Sequence, residues 1–127
     1  MTADELKKRT KAFAVRILAV VDHLPPNTTG RVIANQLARC GTAVGANYRA
    51  ACRSRSKAEF AAKMGVVVEE ADESCYWLEI GVEAGLLKKE QVEAILDEAN
   101  QLVAIMTASR KTACADLNHQ SSISHHE

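Results

Sequence analysis

Apolar residues recur at three- and four-residue intervals through four successive stretches of this chain and nowhere alternate with period two. That spacing puts them along one side of a 3.6-residue helix and leaves no half-buried strand to build a sheet. The chain has 127 residues, room for one domain, and 47% of them are hydrophobic but only 4% aromatic. One core is affordable in area, and Ala, Val, Leu and Ile must fill it. Two Pro and six Gly are too few for a turn-rich sandwich or barrel.

Helix one is expected from Thr2, because Thr2 and Glu5 have the spacing of a capping box. Its inward stripe is Leu6, Phe13, Ile17, Val20 or Val21, and Leu24, and Pro25-Pro26 stop it. Asn27–Gly30 then reads as a short connection. Helix two is expected over about Arg31–Arg53, with Ile33, Leu37, Cys40, Val44 and Tyr48 inward. Ala34, Ala38, Gly41 and Gly45 repeat at about four residues, which points to a tight crossing or a local break. Ser56 and Glu59 repeat the capping-box spacing and open helix three, about Ser56–Ala84, roughly 43 Å long at 1.5 Å per residue. Gly85 reads as its left-handed C-terminal residue, with Leu86 as the hydrophobic contact of the cap. Phe60, Met64, Val67, Ala71, Cys75, Leu78 and Val82 form the inward stripe of helix three. Helix four is expected over about Lys89–Lys111, with Val92, Ile95, Leu96, Ala99, Leu102, Val103 and Met106 at helical spacing.

Four helices joined by short loops predict an all-α, antiparallel up-down-up-down four-helix bundle. The bundle domain is assigned to residues 1–112, and 113–127 are set apart as a polar, frayed tail. Arg16 interrupts the apolar part of helix one, and no uninterrupted apolar stretch approaches 18 residues, so no membrane span is expected. Cys40, Cys52, Cys75 and Cys114 form no CxxC pair and read as small buried hydrophobes in a reducing compartment. A cytoplasmic location follows as the expectation.

The zero net charge conceals two fields. Residues 1–63 hold twelve basic and four acidic residues, and residues 64–127 hold four basic and twelve acidic. These charges could pair across neighbouring helices, pair between subunits, or leave a phosphate-binding patch at Arg49, Arg53, Arg55 and Lys57. Glu69 and Glu73, like Glu79 and Glu83, are four apart on one helix face. A di-metal site in a bundle needs Glu-x-x-His as well, and none of His23, His119, His125 and His126 follows a glutamate at that spacing. No metal, cofactor or catalytic residue is expected. A cysteine nucleophile would need a base beside it, and neither a GxxxxGK loop nor a GxGxxG fingerprint occurs.

Tyr76 and Trp77 are adjacent, so the helical period turns at least one of them outward. Either it anchors an interface, or Trp77 lies flat over a helix seam within the monomer. Tyr76, Trp77, Glu69 and Glu73 are therefore the candidate interface residues.

Gln36-Leu37-Ala38-Arg39-Cys40, Thr42-Ala43-Val44, Asn47-Tyr48-Arg49-Ala50-Ala51, Arg53, Arg55-Ser56 and Glu59-Phe60 together resemble the four helix bundle protein family, also called the 23S ribosomal RNA intervening-sequence protein family. Glu69-Glu70-Ala71-Asp72-Glu73-Ser74 and Tyr76-Trp77-Leu78-Glu79 continue the likeness, which spans about Leu18 to Val103. Many members carry Glu-Gly where this chain has Ala50-Ala51, so it resembles a particular branch. The resemblance implies a small cytoplasmic bundle without established enzymatic activity that assembles into a ring-like homopentamer. It also implies kinship with accessory proteins of diversity-generating retroelements, which bind a reverse transcriptase and nucleic acid through a basic surface. Self-association is thus the leading expectation for its partners, with another protein or nucleic acid as the alternative.

Overall fold

The computed structural model describes residues 1–125 as four α-helices: α1 Ala3–Val21, α2 Thr28–Cys52, α3 Lys57–Glu83 and α4 Lys89–His125. Each helix packs on its neighbours in sequence and α1 also packs on α4, and among the described residues no close backbone approach links α1 with α3 or α2 with α4. This closes a four-cornered, up-down-up-down bundle. No strand occurs among the described residues.

Local chemistry sets the helix starts. The Glu5 N–H donates to Thr2 Oγ1 at 3.1 Å and the Thr2 N–H donates to Glu5 Oε2 at 3.3 Å, completing the capping box. At α2 the start lies three residues earlier than the sequence reading placed it. Asn27 is the N-cap, its Oδ1 accepting from the Gly30 N–H at 2.8 Å, so Thr28–Gly30 form the first turn instead of a connector. Gly30 is tolerated there because a Cβ would sit 1.9 Å from the Pro25 carbonyl oxygen. At α3 only half of the expected box forms. Ser56 Oγ accepts from the Glu59 N–H at 3.1 Å, but the Glu59 carboxylate turns to the Arg55 N–H and to Lys63 Nζ.

Helix α3 ends as a Schellman motif around Gly85, whose φ is +77°, with the Leu86 N–H donating to the Gly81 carbonyl and the Gly85 N–H to that of Val82. The apolar contact of this cap comes from Leu87, which is buried, and not from the half-buried Leu86. Leu87 reaches back over Gly81, where a Cβ would meet its Cδ1 at 2.7 Å.

Helix α4 is longer than expected. It runs past Lys111 to His125, with Ala113 buried, where the sequence reading began its polar tail. Nothing after Gly85 is Gly or Pro, so no residue stops the helix at 112. The expectation of a frayed end concerns His126 and Glu127 too, and these lie outside the described residues.

Phe13, Ile17, Leu37, Val44, Met64, Val67, Leu78, Leu102 and Met106 form the fully buried centre, and the predicted stripes supply all of them. Gly41 and Gly45 make the tight crossing, and α2 continues through both without a break. A Cβ on Gly41 would approach Ile17 Cγ2 to 2.6 Å, and one on Gly45 would approach Thr10 Oγ1 to 3.1 Å. The buried Thr10 hydroxyl donates to the Leu6 carbonyl at 2.9 Å, so its burial leaves no unmet donor.

Candidate interaction surfaces

The predicted basic patch divides when the chain folds. Arg49 and Arg53, near the end of α2, face the start of α1 and line a groove of about 320 Å³ with Lys7, Lys8 and Lys11. The antiparallel pairing that brings Gly45 onto Thr10 puts these cations side by side. The other two predicted members lie elsewhere. Arg55 is almost wholly exposed and sits 3.9 Å from Glu59, and Lys57 lines a separate cleft with Phe60 and Asp116, between α3 and α4. Lys7, Lys8 and Lys11 were missed because they are some forty residues from Arg49. The signal for them was the antiparallel hairpin itself, which aligns the start of one helix with the end of the next.

The acidic residues also divide by use. Arg39 on α2 reaches Glu70 Oε2 at 3.3 Å and hydrogen-bonds Glu73, so both carboxylates are paired within the chain. The Glu73 hydrogen bond, followed by the charges of Glu70 and Glu73, raises the Arg39 pKa above its ordinary value. Trp77 Nε1–H donates to the same Glu73 carboxylate at 3.4 Å. Trp77 is half-buried against the edge of the core, whereas Tyr76 is 53% exposed. The two rings meet edge to face, centroids 5.1 Å apart. Of the four interface candidates, then, Trp77 and Glu73 are engaged within the monomer. Tyr76 and Glu69 stand on its surface.

A second groove, of about 480 Å³, runs between the end of α3 and the start of α4. Val82, Val92 and Leu96 line its apolar part, and Glu79, Glu83, Glu93 and Asp97 surround them. Since α1 starts at the end of the bundle where α2 finishes, the basic groove and this acidic one occupy opposite ends. Sequence reasoning had grouped Glu79 and Glu83 but not their α4 counterparts, which become neighbours only when α3 and α4 pack together.

Among the described residues, no group of three or more His, Cys, Asp and Glu is placed to hold a metal ion. All four cysteines are free thiols, Cys40 and Cys75 buried, Cys52 and Cys114 half-buried, so the expectation of four buried thiols is met at two positions. Burial pushes the Cys75 thiol up to about 11, with the Asp72 and Glu79 charges adding to the effect, and burial also raises that of Cys40. Neither buried sulfur is an activated nucleophile. No helix among the described residues is long and apolar enough to cross a membrane.

This arrangement of helices has counterparts among known proteins. A crystal structure of a protein of unknown function from the S23 ribosomal protein family of Bacteroides thetaiotaomicron VPI-5482 superposes with a TM-score of 0.80 at 31% identity, covering 87% of this chain and 99% of that one. No curated protein sequence matches the chain. Residues 4–108, most of the bundle, match the family described as 23S rRNA-intervening sequence protein. With fold, length and sequence in agreement, the chain belongs to the 23S rRNA-intervening sequence protein family.

Proposed function

We propose that this chain is a non-enzymatic, cytoplasmic interaction module that works as a homo-oligomer, with a closed pentamer as the leading state by resemblance to its family. The observation that carries the reading is the separation of charge of opposite sign. A groove lined by Lys7, Lys8, Lys11, Arg49 and Arg53 and a groove edged by Glu79, Glu83, Glu93 and Asp97 lie at opposite ends of one small bundle. Surfaces of opposite sign on one molecule steer copies into head-to-tail contact and disfavour like-to-like contact. Light scattering coupled to gel filtration tests this at tens of micromolar protein in physiological salt. The expected mass is five times the 13.8 kDa of the chain. A concentration-independent mass of one chain rejects assembly, and a stable dimer or tetramer rejects only the pentamer.

The basic groove favours a second reading, binding of RNA or DNA phosphates, in keeping with the accessory role implied by the resemblance to retroelement bundle proteins. No carboxylate lines that groove. Contacts of this kind are insensitive to base sequence and weaken steeply with salt. Fluorescence anisotropy with a duplex and a folded RNA at low salt checks it. Lys11→Glu with Arg49→Glu should abolish binding, while Arg55→Ala should change it less than twofold. Absence of binding at micromolar protein rejects this reading and leaves self-assembly standing.

A further inference from the structure

Helix α1 has two apolar faces, and the bundle covers one of them. Leu6, Phe13, Ile17 and Val20 point into the core. On the opposite side Val15 is 63% exposed and Leu18 45% exposed, three residues apart and therefore on one stripe. Lys8 and Lys11 precede them on that stripe at helical spacing, and Arg16 stands beside it. The outer face of α1 is thus an apolar pair bordered by cations.

The α3/α4 groove has the reverse character, with Val82, Val92 and Leu96 between carboxylates. Neither the cations of α1 named above nor Glu79, Glu83, Glu93 and Asp97 form an ion pair within the chain among the described residues. One chain therefore carries both halves of a contact that it cannot make with itself, because the two surfaces face away from each other. We infer that the outer face of α1 docks in the α3/α4 groove of a second copy, Val15 and Leu18 seated on the apolar lining and Lys8 and Lys11 against the carboxylates of Glu79 and Asp97.

Charge also sets the direction. Asp22 ends the α1 stripe, and Lys89 lines the groove where α4 begins. Matching these two lays the docked α1 antiparallel to α4. The stripe from Lys8 to Asp22 is about 21 Å long and the α4 wall from Lys89 to Asn100 about 16 Å, at 1.5 Å per residue, so one spans the other. The contact joins unlike surfaces, and it propagates from copy to copy until the ring closes.

This inference rests on the self-assembly proposed above, and one experiment separates the two. Val15→Glu with Leu18→Glu spoils the α1 face, and Glu79→Lys with Glu93→Lys spoils the groove. All four positions are exposed, so unchanged helical circular dichroism and a cooperative unfolding transition should confirm folding. If the α1 pair perturbs the fold, Lys8→Glu with Lys11→Glu replaces it, and if the groove pair does, Glu79→Gln with Asp97→Asn replaces that. Each variant alone should elute with the mass of one chain. Mixed in equal amounts they should form a heterodimer of two chains and nothing larger, because each retains the half that the other lacks. A wild-type protein that is itself one chain overturns both the assembly reading and this contact. Wild-type assembly that both variants retain overturns this contact alone, as do monomeric variants that stay monomeric when mixed.

Discussion

The Arg9 guanidinium holds the Glu98 carboxylate through two hydrogen bonds, 2.8 Å from Nε and 2.6 Å from Nη2, and so ties the first helix to the last. Gln101 Oε1 accepts a third bond from the same guanidinium at 2.8 Å. These bonds close the bundle where α1 meets α4, two packed helices that no loop joins directly. The Glu98 hydrogen bond raises the Arg9 pKa above its ordinary value.

Breaking this fork should loosen α1 more than the other helices. Glu98→Gln keeps the shape and removes the charge, and a partly buried bidentate pair should cost about 1 kcal/mol. Urea unfolding measures that loss. Hydrogen exchange should show amide protection falling first in α1.

The crossing at Gly41 leaves no room for a methyl group, because Ile17 is fully buried and cannot swing aside. Gly41→Ala gains roughly 1 kcal/mol in helix propensity against about 1–3 kcal/mol of overpacking, so the net result should be destabilisation. Ile17→Ala removes both γ carbons that the new methyl would strike, so combined with Gly41→Ala it should cost less than the sum of the two single changes. A double-mutant cycle by denaturant unfolding should therefore show non-additivity between the two sites.

Trp77 and Tyr76 should behave oppositely despite their adjacency. Trp77→Ala removes a half-buried indole from the core edge and its bond to Glu73, a loss of about 2 kcal/mol and a lower thermal midpoint. Tyr76→Ala alters an exposed ring and should stay within about 0.5 kcal/mol of the wild type. If the Tyr76 change instead lowers the oligomeric mass, Tyr76 lies in an interface.

Raised thiol pKa values make stability fall at alkaline pH. The unfolded Cys75 ionises near its ordinary value of 9.0, while the folded thiol holds its proton to about 11. Its contribution is therefore complete below pH 9 and lost as the pH rises through 11. Cys75→Ala should flatten the pH dependence of denaturant unfolding across that window. Thiol labelling of the native protein should modify Cys52 and Cys114 before Cys40 and Cys75.

Much of this architecture was legible in the sequence because it rests on local chemistry. Helical spacing named the core from Phe13 to Met106, and Thr2, Ser56 and Gly85 marked helix ends through bonds to residues a few positions away. Local reading failed where a contact decided the outcome. Thr28–Gly30 read as a connector but form the first turn of α2, because Asn27 caps it and the Pro25 carbonyl packs where a side chain on residue 30 would lie. Glu59 left its box because the Arg55 N–H and Lys63 competed for the carboxylate.

The surfaces divide in the same way. Helical periodicity and the basic and acidic halves of the chain were properties of the sequence alone, since they depend on the order of residues and on the 3.6-residue repeat. Which charges are spent inside the molecule was decided only by tertiary packing. Packing α2 on α3 paired Arg39 with Glu70 and Glu73, and packing α1 on α4 paired Arg9 with Glu98. Packing α1 on α2 gathered Lys7, Lys8 and Lys11 beside Arg49 and Arg53. The physical reason is range: a helix repeat acts over four residues, but Coulomb attraction and side-chain contact act over ångströms of space. Only the folded bundle determines which residues lie within that reach.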